Sequence, residues 1–218
     1  MPGSSLWLLP PPSHPLHQIL STLISSTLPA LFPAEASADS PSISPHFFAP
    51  HMTLTSEIDP ALYGDDPQAW LDSIPWASLR DQVHVRFEGI QSQDVLVRRC
   101  FIRVSLGGVR KVVGLARAWG VYGGEDVGEG SRTETWLERW KVEYGPHVSL
   151  MYGTVPIGEE RLMEVVKVVE ETGVRLKSDG SRGEKDGKDN GWGGGVLWLV
   201  PTGSKPIPDW KPIATRAL

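Results

Sequence analysis

Two short strings carry the residue types best suited to chemistry: Pro50-His51-Met52-Thr53-Leu54 and Pro146-His147-Val148-Ser149-Leu150, their histidines 96 positions apart. Six histidines among 218 residues, 30 of them Ser or Thr, give about 0.8 His-x-Ser/Thr triplets by chance. The triplets alone therefore mean little. The shared frame is much rarer, with Pro before, an apolar residue between and Leu after. Residues i and i+2 of a strand point to one face, so His51 projects with Thr53 and His147 with Ser149. Met52 and Leu54, like Val148 and Leu150, then face the opposite side and anchor the strand in a core.

Two such strands side by side offer two imidazoles and two hydroxyls to one cavity. That set suits cleavage of a phosphodiester without a metal. A neutral imidazole takes a proton from water as it attacks phosphorus, and a protonated one delivers a proton to the departing oxygen. An unperturbed histidine, with a pKa of about 6.5, serves either role near neutral pH. The hydroxyls can donate to the non-bridging oxygens, whose charge grows in the transition state.

The elements that must position these strings can be read along the chain. Ser5 to Leu9 is a short apolar run stopped by prolines and predicts a buried strand. Ser13 offers an N-cap for a helix running to about Leu28, and Pro29 to Pro45 reads as a flexible connection. A strand is predicted over Phe47 to Thr55, in which Thr55 shares the face of Thr53 in a strand-edge role. Asp66-Pro67 starts a short helix. Strands follow around Val83 to Phe87 and from Asp94 to Val104, then a helix from Gly108 to Trp119. Ser131-Arg132-Thr133-Glu134 is a capping box opening the next helix. His147 to Met151 predicts a strand, and Glu159 to Glu171 an amphipathic helix. Residues 178–195 are Gly-rich and charged, predicting a flexible surface loop, with strands at Val196 to Val200 and Trp210 to Ala214 closing the chain. Short strands interleaved with helices favour an α+β arrangement over a doubly wound sheet.

Bulk composition narrows the rest. The net charge is −5, and no Lys or Arg precedes Arg80, so residues 1–79 carry −7 and the remainder +2. An acidic chain is a poor general binder of nucleic-acid backbone, which requires clustered basic surface. The single cysteine, Cys100, excludes an intrachain disulfide and any all-cysteine metal site. No apolar run reaches the length of a membrane span, and Leu16 to Phe32 lacks the positive flank of a secretory signal. The expectation is an intracellular, cytoplasmic protein, acting as a monomer.

Other candidate sites are weaker. His46 and His51, five apart, fall on opposite strand faces and find no third metal ligand; no metal is expected. His14 and His17 read as an exposed pair on a helix, and His84 as solvent-facing on its strand. The acids within Gly123 to Gly130 would repel a phosphate, and no P-loop string is present.

The P-H-x-T-L and P-H-x-S-L strings resemble the paired signatures of the two-histidine (2H) phosphoesterase superfamily. Within it the resemblance is to the fungal 2',3'-cyclic-nucleotide 3'-phosphodiesterases, relatives of the plant cyclic phosphodiesterases. Leu6-Trp7-Leu8-Leu9-Pro10 and Tyr152 add to the resemblance, which spans residue 5 to the C-terminal strands, with 178–195 as an insertion. It implies one domain over residues 1–218, of two lobes related by a pseudo-twofold, each an antiparallel sheet flanked by helices. The cleft between them would hold His51 and His147 as catalytic residues, with Thr53 and Ser149 binding the phosphate.

The implied reaction opens nucleoside 2',3'-cyclic phosphates to 2'-phosphates without a cofactor. It also opens ADP-ribose 1'',2''-cyclic phosphate, a by-product of tRNA splicing, to ADP-ribose 1''-phosphate. The resemblance makes His147 the water-activating base and His51 the acid, and suggests an association with the Golgi. Trp7 and Tyr152 would flank the substrate ring by stacking. Tyr152, three residues beyond Ser149, reaches the cleft only if the strand bulges or ends there. An RNA-end phosphodiesterase or ligase, and a catalytically silent nucleotide-binding module, are the alternative readings.

Overall fold

Leu6, Leu8, Trp7 and Leu9 alternate along Ser4–Leu9, and the strand they form, β1, is buried on both faces. Leu6 and Leu8 join the main core, while Trp7 and Leu9 pack with Val200 on the other side. A strand covered on both sides needs no polar alternation, which is why this segment reads as a plain apolar run. A computed structural model of the chain describes residues 3–32, 47–79, 81–124, 126, 128–176, 190–203 and 206–218. His46 and residues 178–189 of the expected loop lie outside the described residues.

The first helical stretch consists of α1 (Pro15–Thr22), a π-helical turn over Leu23–Thr27, and α2 (Leu28–Leu31). Its cap is His14 rather than the expected Ser13: the His14 ring nitrogen accepts from the Leu16 amide at 3.2 Å. Leu16, Leu20, Leu23 and Leu28 all reach the core, the wider turn keeping successive leucines on one side. Part of the expected connection, Pro29 to Leu31, is therefore helical.

The strand β2 (Met52–Ile58) begins only after His51. Asp66 caps α3 (Pro67–Ser73) by accepting from the Ala69 amide at 2.9 Å. Strands β3 (His84–Gln91) and β4 (Cys100–Val104) follow. Asp94 to Arg98 is not strand as expected; Leu96–Arg98 forms a 3-10 turn, because buried Arg99 ties this segment to Asp94 and to the Gly153 and Thr154 carbonyls. Helix α4 (Arg110–Tyr122) packs on β2, and α5 (Arg132–Glu143) starts at the Ser131 cap. β5 (His147–Met151), α6 (Glu159–Glu171), β6 (Gly191–Gly193), β7 (Val196–Pro201) and β8 (Ala214–Ala217) complete the chain.

Residues 190–195 depart from the expected loop. Here Gly191–Gly193 is a strand paired with His84, Val85 and Arg86, and Trp192 is buried against Phe87. Its glycine is a packing requirement: a Cβ on Gly191, whose φ is 132°, would lie 1.8 Å from the Val85 carbonyl oxygen. Trp210 likewise precedes the last strand rather than starting it.

The eight strands form one antiparallel sheet in the order β6-β3-β4-β5-β2-β1-β7-β8. It falls into two four-stranded halves, each contributing one histidine string at the centre, and they meet at a single pair, Met52 opposite Val148. Among the described residues no helix is long and apolar enough to cross a membrane.

Candidate active site

The pairing of Met52 with Val148 fixes the site. These are the middle residues of the two strings, and a row of partners runs through them: Ile102, Val148, Met52, Leu8 and Leu197. All five belong to the main core under the helices. Their neighbours in sequence must therefore face the other side. One row there reads Arg103, His147, then Thr53, Trp7 and Trp198. Antiparallel register places Thr53 beside His147 and His51 beside Ser149, so the two histidines are diagonal neighbours, about 7–8 Å apart at the backbone. The structure thus brings His51, Thr53, His147 and Ser149 together on one face.

Both strings carry the same irregularity. Trp7 pairs with Thr53 and Leu6 with Thr55, leaving Leu54 as an extra residue; Phe101 pairs with Ser149 and Cys100 with Met151, leaving Leu150 extra. A bulge reverses the phase of the residues beyond it. Thr55 is turned away from the site, contrary to the regular-strand expectation, and takes a 3.4 Å hydrogen bond from Arg117 of α4. The matching bulge in β5, at the strand's end, swings Tyr152 back toward the site, where it hydrogen-bonds Ser149.

The two imidazoles are held alike. His51 Nδ1 lies 2.6 Å from the Ala49 carbonyl, and His147 Nδ1 lies 3.0 Å from the Gly145 carbonyl. A carbonyl can only accept, so Nδ1 carries the proton in both rings and each neutral Nε2 keeps its lone pair for chemistry. Pro50 and Pro146 each stand between a ring and its carbonyl, and on the His147 side the turn runs through Gly145 at a φ of 62°, a backbone conformation that glycine adopts freely.

Their titration differs from the unperturbed expectation. Burial, chiefly, pulls His51 from 6.5 to about 4 against the raising effect of the Ala49 bond, and the charge of His147 lowers it further. Burial also brings His147 down to about 4, with Gly145 opposing and Arg98 and Arg103 adding to the fall. Both rings are neutral at pH 7 in the free protein. An anion placed between them would favour the protonated form of the nearer ring.

Ser149 Oγ donates to the Val97 carbonyl at 2.8 Å, so it must rotate before it can donate to a phosphate. Thr53 is partly buried beside His147. Trp7 and Tyr152, expected to flank a substrate ring, are 2% and 3% exposed. Trp7 lies flat on His51, with centroids 3.7 Å apart, and Tyr152 lies flat on Phe48 at 3.9 Å. With faces taken by protein rings and so little surface left, neither is open to a ligand in the free protein.

Sequence reading missed several neighbours. Phe48 meets His51 edge-on at 6.0 Å, Phe101 meets His147 at 5.2 Å, and Arg103 lies directly across from His147. Cross-strand register would have found Phe101 and Arg103; the Ala49 and Gly145 carbonyls carry no side-chain signature at all. Cys100 is wholly buried on the core side, its thiol pushed up to about 12, and is no nucleophile. Among the described residues no three His, Cys, Asp or Glu cluster as metal ligands.

The family model described as cyclic phosphodiesterase-like protein matches residues 1–218. A Neurospora crassa protein named 2',3'-cyclic-nucleotide 3'-phosphodiesterase is 62% identical over 219 residues, covering 100% of both chains. A Phaeosphaeria nodorum protein of the same name is 42% identical over 221 residues, again covering 100% of both. A third so named, from Yarrowia lipolytica, is 26% identical over 238 residues and covers 98% of this chain and 99% of its own.

Proposed function

The chain belongs to the cyclic phosphodiesterase-like family, and from that premise we propose that it hydrolyses nucleoside 2',3'-cyclic phosphates to 2'-phosphates by two-histidine acid/base catalysis. The observation that carries the reading is the paired register at Met52 and Val148, which sets two Nδ1-anchored imidazoles diagonally across one face. The names of the two relatives aligned over their whole length supply the substrate class.

In the proposed step, His147 Nε2 takes a proton from water as its oxygen bonds to phosphorus. The bond from phosphorus to the 3'-oxygen breaks, and His51 Nε2–H gives its proton to that oxygen. His147 leaves the step protonated and His51 neutral, and exchange with solvent restores both. Attack and departure on opposite sides of phosphorus match a diagonal pair of rings. Thr53 and the rotated Ser149 hydroxyl donate to the non-bridging oxygens. Every proton transfer is assigned to a ring nitrogen, so the mechanism requires no metal.

The same five-membered cyclic diester occurs in ADP-ribose 1'',2''-cyclic phosphate, and we extend the proposal to its opening to ADP-ribose 1''-phosphate, the step that would consume this by-product of tRNA splicing. The test is incubation with 2',3'-cyclic AMP in EDTA and separation of the product isomers. Adenosine 2'-phosphate at an undiminished rate is expected; the 3'-isomer, or no product, overturns the reading.

A further inference from the structure

The two halves of the site are mirrored in backbone but not in surroundings. His51 lies between aromatic rings: the Trp7 indole is parallel to it at 12° and 3.7 Å, and Phe48 approaches edge-on. Trp210 meets the Trp7 ring at 68° and 5.9 Å, buttressing it from another side. The charge of His147 acts on His51 and lowers it. Tyr152, stacked on Phe48, has its phenol pushed up by burial and stays neutral. His147 is placed differently. Arg103 of β4 stands opposite it, Arg98 of the 3-10 turn lies nearby with its guanidinium over Phe101, and both arginines act on its charge. Arg98 is fixed there by donating to the Glu143 and Tyr144 carbonyls at the end of α5.

We propose that Trp7 is a positioning residue that commits His51 to the acid's role, its indole face stabilising the imidazolium, while Arg98 and Arg103 hold His147 to the neutral, proton-accepting form. The inference rests on the acid/base reading above and adds what breaks the symmetry between two otherwise equivalent rings. A ring face bears negative quadrupole charge and attracts a cation lying on it, most strongly for Trp and most strongly where water is excluded. The neutral imidazole gains much less from the same face. The stack therefore opposes the effect of burial on one histidine only. The other faces two cations, Arg98 held by its carbonyls and Arg103 paired with Glu88 at 3.9 Å, which penalise its protonated form.

The test is to follow the His51 and His147 ring signals by NMR through an acid titration, and turnover of 2',3'-cyclic AMP, in the wild type, Trp7→Phe and Trp7→Leu. Leucine keeps the apolar cover and removes the π face. The expected result is a His51 midpoint about one unit lower in Trp7→Leu, roughly tenfold slower turnover at neutral pH, and substantial restoration of both in Trp7→Phe. His147 should not move. Where Trp7→Leu fails to fold, replacing the nine tryptophans with 5-fluorotryptophan weakens the ring face without changing its shape, and His51 should again titrate lower. A His51 midpoint that stays or rises in Trp7→Leu, or stays in the fluorinated protein, overturns the role of Trp7. Loss of the underlying catalytic reading looks different: His51→Ala would then turn over substrate at the wild-type rate.

Discussion

At the scale of single residues, the tethering of each Nδ1 to a carbonyl two positions upstream leaves Nε2 as the free nitrogen of each ring, and burial lowers the pH at which either ring is charged. With both imidazoles at about 4 in the free protein, the form carrying one proton between them is scarce at neutral pH. The expected kcat/KM for 2',3'-cyclic AMP peaks in acid and falls about tenfold per unit above pH 5. The kcat profile is displaced toward neutrality, because bound phosphate raises the donor. A kcat/KM profile centred on the ordinary histidine value would contradict this. Linkage gives a second consequence. A histidine at about 4 folded and 6.5 unfolded binds more protons when unfolded, so stability is greatest above pH 6.5 and is lost as pH falls toward 4. Urea midpoints taken across that window should fall with pH, and less steeply in the His51→Gln, His147→Gln double variant. The four site residues were legible because Pro, Leu and the His-x-Ser/Thr spacing recur together. Trp7 and Tyr152 were legible as neighbours but not as stacked on protein rings, since sequence gives no ring orientation.

At the scale of elements, the site depends on one contact between halves. Met52 sits at the only β2–β5 register pair, wholly buried between Val148 and Leu8. Met52→Ala is expected to destabilise the protein by about 2–5 kcal/mol, read from urea unfolding. Activity should fall more than the folded fraction does, because the rings lose their common register; activity that tracks the folded fraction would deny that role. Strand β1 and helix α6 were legible because an apolar run and a 3.6-residue period each have one reading. The bulges at Leu54 and Leu150 were not. Each leucine fits an unbroken alternating strand equally well, and only the partner strand shows that a residue is extra. Residues 191–193 failed as a prediction for the converse reason: Gly191, which suggests looseness, is there because β6 approaches the Val85 carbonyl too closely for a side chain at that position.

At the scale of the whole molecule, an acidic chain can act on an anion where the positive potential is local. The net charge is −5, yet Arg98 and Arg103 flank His147 on the site face. Local charge of this kind suits a small cyclic phosphate, whereas a polymer needs basic surface extended along its backbone. An RNA oligomer ending in a 2',3'-cyclic phosphate is therefore expected to have a kcat/KM no higher than 2',3'-cyclic AMP, and a tenfold gain would point to an RNA-end enzyme instead. The two-half organisation was legible from the duplicated string, whereas the joining of both halves into one continuous eight-stranded sheet depends on pairing between residues 96 positions apart. The claim on which all of this turns is that two imidazoles exchange protons across one phosphodiester. It is tested most directly by the single-turnover rate of 2',3'-cyclic AMP hydrolysis in His51→Ala and in His147→Ala, with circular dichroism verifying the fold. Each rate is expected to fall by about a hundredfold or more; a folded variant of either kind that keeps the wild-type rate would contradict the account.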